Sequence, residues 1–251
     1  MNAIRSTQNI RARRAGAAAL AVGLALLAAG CGVLPDKPAR ATLYDFGPGP
    51  GATAATAAKT AAPAAATRPT LALAEFESNT RLDGTQILYR LGYADANELR
   101  PYGQSRWSLP PAQLLRQRLR DTLTERRMVL GPEESATMAR AKGEVPDTLR
   151  ISLDEFSHYF DSATGSVGLV RLRATLVRSA PGGDRVLGQR MFTVRSPAPS
   201  ADAPGGVKAL IAASDGAVAE VVQWVDQLQQ QQPQLPTLPP PSSSSQSQSP
   251  R

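Results

Sequence analysis

Cysteine and histidine are almost missing from the 251-residue chain, which has one of each, Cys31 and His158. A single chain therefore forms no internal disulfide, no Cys/His zinc cluster and no paired-histidine metal site. Strong charge of one sign is lacking from its body as well. Lysine and arginine number 28 against 21 acidic residues, but four of those arginines fall in residues 1–30, which carry no acid. The other 221 residues hold 24 against 21, a net of +3. That field is too weak to gather a polyanion, so nucleic acid is not expected as a partner. Catalytic signatures are missing too. His158, the only imidazole available as a base, falls in a strand-like run beside Tyr159 and Phe160, with no G-x-S-x-G elbow and no phosphate-cradling loop. It reads as a satisfied or solvent-facing strand residue. Asp154 and Glu155 are adjacent, which on a strand sends the two carboxylates to opposite faces and defeats a paired acid and base unless a bulge intervenes. No catalytic, metal-ligating or cofactor-binding residue is assigned, and no enzyme is expected.

What is present begins with a targeting segment. Arg5, Arg11, Arg13 and Arg14 precede an unbroken small and aliphatic run over residues 15–30, the pattern of a bacterial secretory signal. The run is shorter than the roughly 20 residues a membrane-spanning helix needs, and no charge cluster follows it. Its end, Leu27-Ala28-Ala29-Gly30-Cys31, resembles the lipobox of bacterial lipoproteins, with Ala28 standing where Leu is preferred. That resemblance implies cleavage before Cys31 and its acylation with a diacylglycerol on sulfur and a palmitate-type N-acyl chain on the amine, the only prosthetic chemistry expected. Gly32, Pro35, Asp36 and Pro38 around Cys31 cannot bury a thiol, whereas each acyl methylene in a bilayer contributes about 0.8 kcal/mol, so several chains together anchor the protein. Gly32 replaces the Asp of the inner-membrane retention signal, which implies the periplasmic face of a Gram-negative outer membrane.

The order of segments follows. Residues 1–30 are the signal peptide and residues 31–42 a lipidated tether. Leu43-Tyr44-Asp45-Phe46 suits an edge strand, and the Ala/Pro/Gly/Thr-rich residues 47–69 have nothing to bury and read as a flexible loop. Residues 229–251, rich in Gln, Pro and Ser, read as a disordered tail. The domain itself spans residues 43–228. Its sequence predicts a strand over residues 71–76, a turn at Asp83-Gly84, a strand over residues 85–90 and an ordered loop over residues 97–107. A helix comes next, capped by Ser108 and opened by Pro110 and Pro111, with Leu115, Leu119 and Leu123 inward and Arg116, Arg120 and Arg127 toward water; Gly131-Pro132 stops it. Leu149, Ile151 and Leu153 alternate with polar residues until Asp154-Glu155 shifts the phase, which predicts a long strand with a bulge. Val170, Leu172, Ala174 and Leu176 mark a second strand. Pro181-Gly182-Gly183-Asp184 turns into a third, where Phe192 and Val194 share a side. Finally Val207, Leu210, Ile211, Ser214, Ala217, Val218, Val221, Val222, Val225 and Leu228 recur at three-and-four spacing, a long amphipathic helix. The fold expected is α+β, a single domain of mainly antiparallel sheet with two main helices packed on it.

Leu43-Tyr44, Thr85-Gln86-Ile87-Leu88-Tyr89-Arg90, Tyr102, Arg106-Trp107-Ser108-Leu109-Pro110-Pro111, Gly206-Val207-Lys208-Ala209-Leu210 and Val221-Val222-Gln223-Trp224-Val225 stand in an order and spacing that resembles the ABC-type transport auxiliary lipoproteins. The resemblance implies a non-enzymatic outer-membrane component that works with an MCE-domain protein, its ABC permease and its ATPase to move lipids or other apolar molecules between membranes. Tyr89, Arg90, Tyr102, Arg106 and Trp107 read either as residues that fill and rim a core or as a partner-binding aromatic and basic set, since Arg, Tyr and Trp dominate interface energetics. Two other functions fit the same sequence: an outer-membrane assembly or structural lipoprotein, and a periplasmic carrier of an apolar ligand, which needs a cavity large enough for acyl chains. Self-association into a homo-oligomer, ring-like around a tubular partner, is compatible with either.

Overall fold

Alternating apolar and polar residues over long runs build the centre of the molecule, three strands that meander antiparallel. In the computed structural model, which describes residues 40–49, 68–142, 145–180 and 182–231, these are β7 (Asp147–Phe160), β8 (Ser166–Ala180) and β9 (Gly183–Pro197). Their register pairs Leu149 with Leu176, Ile151 with Ala174 and Leu153 with Leu172, and then slips at Asp154, so that Phe156 rather than Glu155 continues the buried row opposite Val170. The predicted bulge is therefore real, and it keeps one apolar face along the whole of β7. Gly183 takes the turn into β9 at φ 115°, a conformation glycine adopts without a Cβ clash.

Shorter strands line the other edge of β7. β2 (Leu71–Leu73), β3 (Glu77–Ser78) and β4 (Gln86–Leu91) succeed one another along it, all parallel to it, with a single 3-10 turn at Thr80–Leu82. Outside them lie β5 (Arg100–Trp107), antiparallel to β4, then β1 (Thr42–Tyr44), parallel to β5, and β6 (Val129–Leu130), parallel to β2. The result is a mixed nine-stranded sheet whose long ladders are antiparallel and whose short ones are parallel.

Two helices cover one face. α1 (Pro111–Thr124) turns Leu114, Leu115, Leu119 and Leu123 inward, and α3 (Ala203–Gln231) lays Val207, Leu210, Ala217, Val221 and Val225 over β8 and β9. α2 (Pro132–Lys142), a short helix, rests against β2 and β6 on the opposite face, the one that carries Ala72 and Thr148. The described residues from Ala41 onward form one domain.

Several local expectations are corrected. Residues 100–107 form a strand instead of a loop, because β1 and β4 supply its backbone partners from both sides; Gly103 falls where its register with β4 slips, just after Pro101 opposite Leu88. The first domain strand stops at Leu73 and pairing resumes at Glu77. Ser108 does not cap α1, which starts behind Pro110 without a side-chain cap; its hydroxyl donates to Asp45 Oδ2 at 3.0 Å. Arg127 is buried instead of solvated, since the chain has left the helix there and turns inward. The signal, Cys31, most of the 47–69 loop and residues 232–251 of the tail lie outside the described residues.

Candidate functional site

Strands β4 and β5 leave four of the five sequence-selected residues half-buried near the surface and take the fifth into the core. Because successive strand residues point to opposite faces, Tyr89 lies beside His158 on the side covered by α1 and α3 while Arg90 lies beside Tyr159 on the other. Tyr89 and Tyr102 stack with ring centroids 4.6 Å apart. Arg90 donates to the Ala96 and Asn97 carbonyls at 3.1 and 3.2 Å and pairs with Glu155 at 3.5 Å, so it ties down the 92–99 turn. Arg106 bends back to donate to the Tyr102 and Ser105 carbonyls.

Trp107 belongs to the core. It is 1% exposed and meets Phe46 and Phe156 edge-on at 5.6 and 5.7 Å. Its side chain cannot touch a partner without unpacking the domain, so the surface set reduces to Tyr89, Arg90, Tyr102 and Arg106.

Sequence reasoning left His158 as either satisfied or solvent-facing; it is satisfied, and fully buried. Tyr102 Oη lies 2.8 Å from its Nδ1 and Ser166 Oγ 2.8 Å from its Nε2, so one ring nitrogen donates and the other accepts. Burial lowers its pKa to about 4, only weakly opposed by the Asp202 carboxylate. Burial likewise pushes the Tyr102 phenol well above its usual range. A neutral imidazole clamped between the hydroxyls of Tyr102 and Ser166 positions β5 against β7. Glu155 is spent on Arg90, Arg81 and the Ser157 hydroxyl. Among the described residues no cluster of His, Cys, Asp and Glu could hold a metal ion.

Two buried arginines that the spacing of residues did not reveal fix the periphery. Arg118, on α1, donates to the Phe46 and Gly47 carbonyls at 2.6 and 3.1 Å and approaches Asp215 of α3 at 3.3 Å, which holds the entering N-terminal segment against both helices. At the opposite end Arg127 pairs with Asp226 and donates to Gln229, while Arg68 and Arg126 reach the same carboxylate. Arg178 grips Asp147 through two hydrogen bonds of 2.7 and 2.9 Å. Long-range salt bridges of this kind carry no periodic signal in a sequence.

Three concavities among the described residues are open grooves: one of about 430 Å³ along α2 beside Leu130 and Met138, one of about 290 Å³ on the other side of α2, and one of about 280 Å³ between Phe76 and the start of α1. No helix among the described residues is long and apolar enough to cross a membrane.

Residues 53–223 match the family model described as ABC-type transport auxiliary lipoprotein component. No curated protein matches. Among solved structures, a Xanthomonas campestris protein of the DUF330 family superposes with a TM-score of 0.56 at 21% identity, over 65% of this chain and 86% of that one, and so shares the fold. A hypothetical protein of Chlamydia trachomatis reaches a TM-score of 0.45 at 8% identity, over 63% and 96% of the two chains.

Proposed function

The chain belongs to the family of ABC-type transport auxiliary lipoprotein components, and from that premise we propose that it is moored by an acylated Cys31 at the periplasmic face of the outer membrane and serves there as a non-enzymatic docking component for an MCE-domain protein, its ABC permease and its ATPase. The observation that carries this reading is the family match across residues 53–223. The lipobox-like end of the leader supports the mooring. Lipid, or another apolar molecule, is the cargo that fits such a partner.

Two features of the fold agree with a docking role. The apolar faces of the sheet and of α1 and α3 are consumed in packing against one another. The three concavities described above, among the described residues, are open grooves.

The test is affinity purification of the full-length protein from detergent-solubilised membranes. The MCE-domain protein should copurify; recovery of an outer-membrane β-barrel in its place would move the protein to the assembly role. Intact-mass analysis of the same material should show a diacylglycerol and an N-acyl chain on Cys31, and Cys31→Ser should release the protein into the soluble periplasmic fraction.

A further inference from the structure

Strand β9 is the outermost strand of the meander and runs for 15 residues, about three times the common strand length. It pairs only with β8, so its other edge presents a row of backbone donors and acceptors with no strand beside it among the described residues. Only Phe192 on it is buried. The opposite margins of the sheet, β1 and β6, are three and two residues long and offer no such ladder.

The side chains along this edge are sorted by a bulge. Leu176 lies opposite Gly188, and Val177 lies opposite Val186, so Leu187 is the extra residue and the alternation of β9 flips there. As a consequence Arg185, opposite Arg178, and Arg190, opposite Ala174, project from the same face, the one α3 covers. Val186, opposite Val177, and Met191, opposite Arg173, project from the other. Val186 is 59% and Met191 43% exposed, two of the few large apolar side chains left in water. Arg185 and Arg190 make no ion pair among the described residues; Arg190 rests over the Phe192 ring at 5.0 Å.

We propose that the free edge of β9 accepts, as a further strand, an extended segment of a partner protein in which carboxylates alternate with apolar side chains. Main-chain hydrogen bonds supply the affinity of strand addition, and the alternating side chains supply its specificity. Carboxylates on one face of the added strand meet Arg185 and Arg190, while apolar side chains on the other cover Val186 and Met191. The edge repels a cationic strand, which narrows the choice of partner.

This interface rests on the docking reading above, and the experiment separates the two. Full-length lipoprotein in detergent is mixed with the purified periplasmic part of the MCE-domain protein, binding is measured, and amide hydrogen exchange is followed across residues 183–197 with and without it. The expected result is binding, slowed exchange along β9, and an affinity about tenfold or more weaker for the R185E/R190E variant at low salt. Both arginines are at the surface, and near-ultraviolet circular dichroism confirms that the variant keeps its fold. Binding with unchanged β9 exchange overturns the edge proposal and leaves docking standing. Absence of binding overturns both. Slowed β9 exchange in the lipoprotein alone, with a doubled mass in sedimentation, assigns the edge to a second copy and likewise overturns it.

Discussion

Asp226 faces three guanidinium groups, those of Arg68, Arg126 and Arg127, and only Arg127 is deeply buried. Desolvation lowers the Arg127 pKa, so it depends on that carboxylate to remain charged at low cost. Asp226→Ala should therefore destabilise the domain by about 3–5 kcal/mol, read from urea denaturation, well beyond what an exposed pair contributes. His158 makes a prediction of the other kind. Its folded pKa of about 4 lies below the value of about 6.5 it has when unfolded, so on acidification the unfolded chain takes up a proton first. Its contribution to stability is thus complete above about pH 6.5 and is lost as the pH falls toward 4. Unfolding free energies measured between pH 7 and 5 should decline, and His158→Gln should flatten that decline. At this scale the sequence was partly legible. A lone histidine in a strand beside aromatic residues reads as satisfied or solvent-facing, and it is the former, but nothing near Arg118 or Arg127 in the chain distinguishes them from Arg116 or Arg120, because their partners lie about 70 to 100 residues away.

Among the elements, the amphipathic ones were the most readable. α3 declares itself by its three-and-four spacing and β7 by its alternation, including the phase shift at Asp154, since burial on one face leaves a period in the sequence. β5 left no such trace. Its neighbours, rather than its composition, make it a strand, and its tolerance of Pro101 and Gly103 hid it. α2 was equally silent, for its small residues and few buried contacts leave little periodicity to detect. One close approach decides how α3 sits on the sheet. A Cβ on Gly168 of β8 would come within 2.3 Å of the Ala209 backbone. Gly168→Ala should therefore push the start of α3 off the sheet at a cost of about 1–3 kcal/mol or more, measurable as a lowered melting temperature, with slack reported by faster exchange of the amides of residues 205–212.

The domain from Ala41 onward has two distinct ends. β1 is parallel to β5, which runs antiparallel to β4, so the chain enters at Thr42 opposite Ser105 and runs away from Tyr102, the residue that bonds His158. Gly206 packs on His158, which places the start of α3 at that same end, while Leu228 packs over Gly188 toward the other. A single sequence does not disclose this polarity, because the three short strands beside β7 carry too few residues to announce either their order or their parallel direction. The meander and the closing helix were legible in the sequence; the way the N-terminal third is threaded past them was not.

That threading has a mechanical outcome. Thr42, Leu43 and Tyr44 lie along β5, and the next turn of chain is held by two guanidinium hydrogen bonds from Arg118 to Phe46 and Gly47. Tension applied along β1 through the residues before Thr42 would load that parallel ladder in shear, with the Arg118 latch behind it as a second point of resistance.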